Sequence, residues 1–347
     1  MTAVSSVGAS RPGEAVQGGI AIVGSSPPPI DLEGSAAPAR PGGASDPAST
    51  ATLILALVTL AATYALVVLG STVRVTNSGM GCPSWPLCYG RLGPIDRFHA
   101  LLEQSHRYLV VVVTVCAVAT AWAAWRARRR HAVLVPAGVA VGLVVVQAAL
   151  GALTVLAKNA PWTVAVHLVV GLVFLGATTV SAVTALWGPE RLTGSLGALG
   201  RSGWAAVLAT LATIVGGSLV VANGAGGACA AWPLCPAGAS GLADWQLAHR
   251  SLAVLAALGL GAFVATRWRT GSNRWRASAL AAAGLFVLVA AMGAVSALTR
   301  AAATWQDVHL ATVALLWVSV VTSACLAAFG ARRAPETGDA PRPVVGV

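Results

Sequence analysis

The chain has 347 residues, of which 56% are hydrophobic and only 10% charged, against roughly 25% charged in an ordinary soluble domain. That balance excludes a water-soluble globular fold, and the long apolar runs make this a polytopic membrane protein. The net charge of +11 does not point to nucleic acid, because much of it falls in short loops beside apolar runs, where the positive-inside rule puts it.

Residues 1–48 are rich in Pro, Gly, Ala and Ser and lack helical periodicity, and they read as a disordered cytoplasmic tail. Eight apolar runs follow, at 51–73, 101–124, 132–156, 162–187, 203–222, 246–267, 276–298 and 304–329, each long enough to span a bilayer. Arg126, Arg128, Arg129, Arg130 and His131 join the second and third runs, and Arg267, Arg269, Arg274 and Arg276 join the sixth and seventh. Arg191 and Arg201 lie between the fourth and fifth, and Arg332 and Arg333 follow the eighth. These loops alternate with loops poorer in positive charge, so both termini are expected inside and the loops 74–100, 157–161, 223–245 and 299–303 outside. Arg74, Arg91 and Arg97 weaken the asymmetry without reversing it.

Internal duplication is the next signal. His106 and His249 are 143 positions apart, in Glu103-Gln104-Ser105-His106-Arg107 and Gln246-Leu247-Ala248-His249-Arg250, and His167 and His309 are 142 apart. Gly70-Ser71 through Trp85-Pro86-Leu87-Cys88 returns as Gly217-Ser218 through Trp232-Pro233-Leu234-Cys235, and Gly151-Ala152-Leu153-Thr154 as Gly293-Ala294-Val295-Ser296. The expected fold is an all-α membrane protein of eight transmembrane helices, as two tandem pseudo-symmetric four-helix bundles. The bundles are expected at 49–190 and 203–330, with a linker at 191–202 and a disordered tail at 331–347.

All four histidines fall at one depth in even-numbered spans, near the outer end. Neutral imidazole is the commonest metal ligand, and two facing imidazoles hold a heme iron from both sides. Polar packing and proton transfer are the blander readings of a membrane histidine. Zinc is disfavoured, because no Cys, Asp or third His joins either pair at ligand spacing. His99 and His131 fall in loops and read as solvated.

Glu103 lies one helical turn before His106 on the same face, and Gln246 holds the equivalent place. It reads either as an acid favoured at a helix N-terminus or as a proton acceptor at the rim of a porphyrin. The asymmetry assigns the chemistry to the first half, and electron relay or support to the second. Cys82 with Cys88, and Cys229 with Cys235, read as one disulfide per outer loop, with a redox-active thiol pair as the sharper alternative. Cys116 and Cys325 read as packing residues. Arg107 and Arg250 fit either a heme propionate or interfacial snorkelling.

Taken together, Gly70-Ser71-Thr72-Val73-Arg74, Cys82-Pro83-Ser84-Trp85-Pro86-Leu87-Cys88, Glu103 to Arg107 and the second copies with His249 and His309 resemble the heme A synthase family, over residues 51–330. The resemblance implies conversion of heme O to heme A for terminal oxidases, by two hydroxylations of a porphyrin methyl and loss of water. It implies that His106 and His167 hold the substrate heme, Glu103 is the catalytic acid, and His249 and His309 hold a resident heme b. The implied partners are heme O synthase, terminal oxidase assembly and an electron acceptor that the sequence does not identify. The implied place is the plasma membrane, with extracytoplasmic cysteine loops. A diheme electron-transfer protein of the cytochrome b561 kind predicts the same histidines without explaining Glu103 against Gln246. A heme transporter built from repeats predicts no modified heme.

Overall fold

A long apolar run in hydrocarbon satisfies its own backbone N–H and C=O groups only as a helix. The computed structural model describes residues 47–92, 96–127, 133–187 and 196–329. Its helices are α1 Pro47–Val75, α2 Phe98–Arg126, α3 Leu134–Leu156, α4 Pro161–Trp187, α5 Gly200–Ala222, α6 Leu242–Arg267, α7 Asn273–Leu298 and α8 Ala303–Phe329. All eight are long and apolar enough to cross a membrane, so this is an all-α multi-pass membrane protein.

Most helices begin a few residues before the apolar runs do. The added turns carry polar and aromatic residues, such as Phe98-His99 and Asp244-Trp245, that suit the interface. His99 is therefore helical rather than in a loop: it is exposed in the first turn of α2, with Nδ1 2.8 Å from Ser78 Oγ. Arg201 likewise sits in the first turn of α5, after a 3₁₀ turn at Leu196–Leu199. The expected N-terminal tail ends two residues early, since Pro47 and Ala48 already belong to α1; its residues 1–46, the tail 331–347 and the loop residues Arg128 to His131 and Arg191 lie outside the described residues.

Each odd helix packs on the even helix that follows it. Contacts of α1 with α4 and of α2 with α3 close one ring of four, and α5 with α8 and α6 with α7 close another. The rings meet through α1, α4, α5 and α8. Their shared core holds Leu172 and Leu175 of α4, Ile214 of α5, and Trp317 and Val321 of α8. Outward faces are apolar and exposed, as at Val111, Val115, Val145, Leu258 and Val287. Trp122, Trp125, Trp162, Trp268 and Trp305 stand exposed near helix ends, the usual station of interfacial tryptophan.

The duplication reaches the backbone. After α1 the chain turns at Asn77 (φ 55°), with Ser78 N–H donating to Val73 O, and after α5 it turns at Gly224 (φ 64°), with Ala225 N–H donating to Val220 O. The ends of α3 and α7 match as well: Asn159 (φ 56°) donates to Thr154 O and Ala301 (φ 62°) to Ser296 O. Left-handed turns of this kind satisfy carbonyls that a helix end leaves open. The Trp85–Pro86 and Trp232–Pro233 bonds are both cis.

Candidate functional site

Each histidine meets a glycine of the helix before it in the chain. A Cβ added at Gly70 of α1 would lie 2.9 Å from His106 Cε1, and one at Gly151 of α3 would lie 3.6 Å from His167 Cε1. The distances are 3.1 Å for Gly217 of α5 against His249 and 3.1 Å for Gly293 of α7 against His309. Four rings, two on α2 and α4 and two on α6 and α8, thus bring their Cε1 edges up to bare backbone. The glycines found as repeat markers in the sequence have this local task.

The second pair shows what the glycine permits. His249 Nδ1 lies 3.0 Å from Thr213 O. That carbonyl is four residues before Gly217, so it already accepts a helical bond, and its second lone pair is reached only because position 217 has no side chain. A carbonyl can only accept, so Nδ1 carries the proton and Nε2 keeps its lone pair. This is the arrangement of a metal-ligating histidine braced by a backbone carbonyl. His309 stands in the same relation to Val289 O, four residues before Gly293, but outside hydrogen-bond geometry. The Nδ1 atoms of His106, His167 and His309 are buried without a partner.

His249 and His309 line one cavity of about 420 Å³, within the range of ligand pockets. Their helices are diagonal in the ring of α5 to α8, so the imidazoles enter from two sides. The walls are mainly apolar, with Ile214, Phe286 and Leu316 among them, and Trp232 and Pro233 of the loop lie at one end. Two imidazoles, one braced by a backbone carbonyl, in an apolar cavity backed by glycine, fit a planar porphyrin. Among the residues that line it there are two cations, Arg74 and Arg250, and no carboxylate.

At the loop end, the cysteine pairs stand at disulfide distance, with Cα–Cα 4.7 Å for Cys82–Cys88 and 5.7 Å for Cys229–Cys235. Arg107 Nη1 donates to Ser84 O (2.8 Å) and Pro86 O (3.1 Å), and Nη2 to Glu103 Oε1 (2.6 Å). Arg250 Nη1 donates to Ala231 O and Pro233 O, both at 2.9 Å, and Nη2 to Gln246 Oε1 at 2.6 Å. The role that sequence reasoning missed for both arginines is thus a grip on the loop backbone. The signal was available: each lies four residues after Glu103 or Gln246, one turn along the same face.

The acid and the amide hold their loops with opposite polarity. Buried Glu103 accepts from Cys82 N–H at 2.8 Å through Oε2. Buried Gln246 instead donates through Nε2 to Ala225 O and Gly226 O, both at 2.7 Å. At this position the first half therefore has a carboxylate, one turn from His106, where the second half has an amide, one turn from His249. Cys116 is half-buried and Cys325 buried, both unpaired with another cysteine, as expected of packing residues.

A model of the cytochrome oxidase assembly protein family (COX15-CtaA) matches residues 53–98 and 95–321. The chain is 38% identical to a heme A synthase of Geobacillus kaustophilus over 97 residues, 27% of this chain and 30% of that protein. It is 37% identical to a heme A synthase of Geobacillus thermodenitrificans over 97 residues, with the same shares. It is also 30% identical to a protoheme IX farnesyltransferase of Halobacterium salinarum over 118 residues, 33% of this chain and 26% of that protein. The matched stretches span less than a third of each of these relatives.

Proposed function

Because the chain belongs to the cytochrome oxidase assembly protein family, we propose that it is a heme A synthase, oxidising a methyl group of heme O to the formyl group of heme A. The net change is CH₃ plus water to CHO, four protons and four electrons, with water as the oxygen source. The carrying observation is the asymmetry between the halves: matched histidines, but a buried carboxylate in the first half where the second has an amide.

In this reading His106 and His167 hold the substrate heme in a first bundle at 49–190, and His249 and His309 hold a heme b in a second at 203–330. Heme b would supply one-electron redox capacity next to the reacting half. Glu103, fixed by Cys82 N–H and Arg107, would accept protons from the substrate methyl or orient the attacking water. Arg107 and Arg250 hold the disulfide loops over the two sites, and a propionate would meet only those donors that the loops leave over. The lipid-exposed faces between helices suit the isoprenoid tail of heme O. Heme O synthase and terminal oxidase assembly are the partners, with an external acceptor taking the electrons. The reading places both termini on the cytoplasmic side of the plasma membrane; cysteine pairs at disulfide distance suit an oxidising outer face, and Arg267, Arg269, Arg274 and Arg276 suit an inner one, which supports it.

The test is co-expression with a heme O source, followed by extraction and mass identification of bound hemes. Heme A or its hydroxylated precursor beside heme b is the expected result. Heme O left untouched beside heme b would instead make the chain an electron-transfer protein.

A further inference from the structure

Arg74 belongs to α1, in the first half, yet it lines the cavity that holds His249 and His309. Its Nη1 donates to Gln306 Oε1 at 3.2 Å, one turn before His309 on α8, and its buried Nε has no partner. The nearby carboxylate of Asp307 attracts it through space but makes no hydrogen bond to it, and Asp307 Oδ1 is itself buried without a partner. Asp307 Oδ2 accepts from Thr72 Oγ1 at 2.7 Å, and among the described residues the ion pair within 4.0 Å is Glu103 with Arg107. A guanidinium facing an apolar cavity is costly unless an anion meets it.

The other cation on that wall is committed, since Arg250 spends its donors on loop carbonyls and Gln246. Arg74 also sits at the right level. It is in the last turn of α1, beside Gln306 near the start of α8, and so at the loop end of the cavity with Trp232 and Pro233. A porphyrin held by these two imidazoles would be best solvated with its ionised propionates at such a polar end.

We infer that Arg74 binds a porphyrin carboxylate in the second half's cavity, so that the first half supplies an anion-binding residue to the cofactor site of the second. The inference rests on the reading that His249 and His309 hold a heme. Gln306 acts as a positioning residue, holding one edge of the guanidinium so that the other meets the carboxylate in a two-point contact.

The test compares protoheme with its dimethyl ester, which lacks the negative charge. Both are titrated into purified apo-protein carrying His106→Ala and His167→Ala, so that only the second pair ligates. The expected result is about ten-fold tighter binding of the diacid, as a charge-assisted contact gives. With Arg74→Gln the two porphyrins should bind equally, and the heme midpoint potential should shift. Arg74→Lys should keep part of the preference, which separates lost charge from lost fold. Full preference retained in Arg74→Gln would overturn the assignment and leave the heme reading standing. A folded background protein that takes up neither porphyrin would overturn both.

Discussion

At the scale of single residues, Glu103 and Gln246 differ by one atom type and do opposite things. Replacing Glu103 by Gln keeps the length and an oxygen for Arg107, but turns an NH₂ toward the Cys82 N–H that now donates to a carboxylate. Heme content should stay near normal while heme A per cell falls by about 100-fold, the lower range of a lost general base. Full heme A production at normal heme content would remove Glu103 from the chemistry. The sequence already carried this contrast, because the duplication aligns the two positions. It did not carry the carbonyl partners of Arg107 and Arg250, which depend on how a loop of some twenty residues folds back over its helix. Nor did it carry Arg74, whose partner Gln306 lies in the other repeat and is matched by no local pattern.

Between helices, one device recurs. A glycine leaves the carbonyl four residues earlier open to a second donor from the neighbouring helix. His249 uses it at Gly217 and Thr213, Gln147 Nε2 at Gly171 and His167 O (2.8 Å), and Trp317 Nε1 at Gly176 and Leu172 O (2.8 Å). In hydrocarbon no water competes for that lone pair, so the notch sets both the closeness and the rotation of the helix pair. Gly217→Ala should push the His249 ring off Thr213 O, because the new methyl would sit 3.1 Å from Cε1. Heme affinity at that pair should drop about 10-fold or more, as for other lost supports of a metal-ligating histidine. Difference spectra against a His249→Ala protein read the effect, and an unchanged affinity would mean that the notch does not orient the ring. Eight spans, their order and the histidine positions were legible from the apolar runs and the repeat. The notches were visible only as glycines, since a sequence does not say which neighbour lies over each.

For the whole molecule, the seam between the rings includes α4 against α8, where Trp317 is seated over Gly176. Trp317→Phe removes one donor from a carbonyl that keeps its helical bond, and should cost only about 1 kcal/mol. Gly176→Val is a different perturbation, since its Cβ alone would lie 3.0 Å from Trp317 Nε1. It should force α4 and α8 apart and lower the thermal midpoint in detergent, with hemes lost from both histidine pairs together. Loss from one pair alone would show that the rings do not depend on this contact. Sequence reasoning did not anticipate this contact, because Trp317 and Leu172 have no counterpart in the repeat signature. The arginine grips have a last consequence. Arg107 and Arg250 read their loops through main-chain oxygens, which every amino acid supplies. Between the cysteines, then, what is held is the path of the chain rather than its lettering. The first half offers Arg107 the carbonyl of Ser84 and the second offers Arg250 that of Ala231, so one grip serves two different side chains while the helices beneath keep the same pairing.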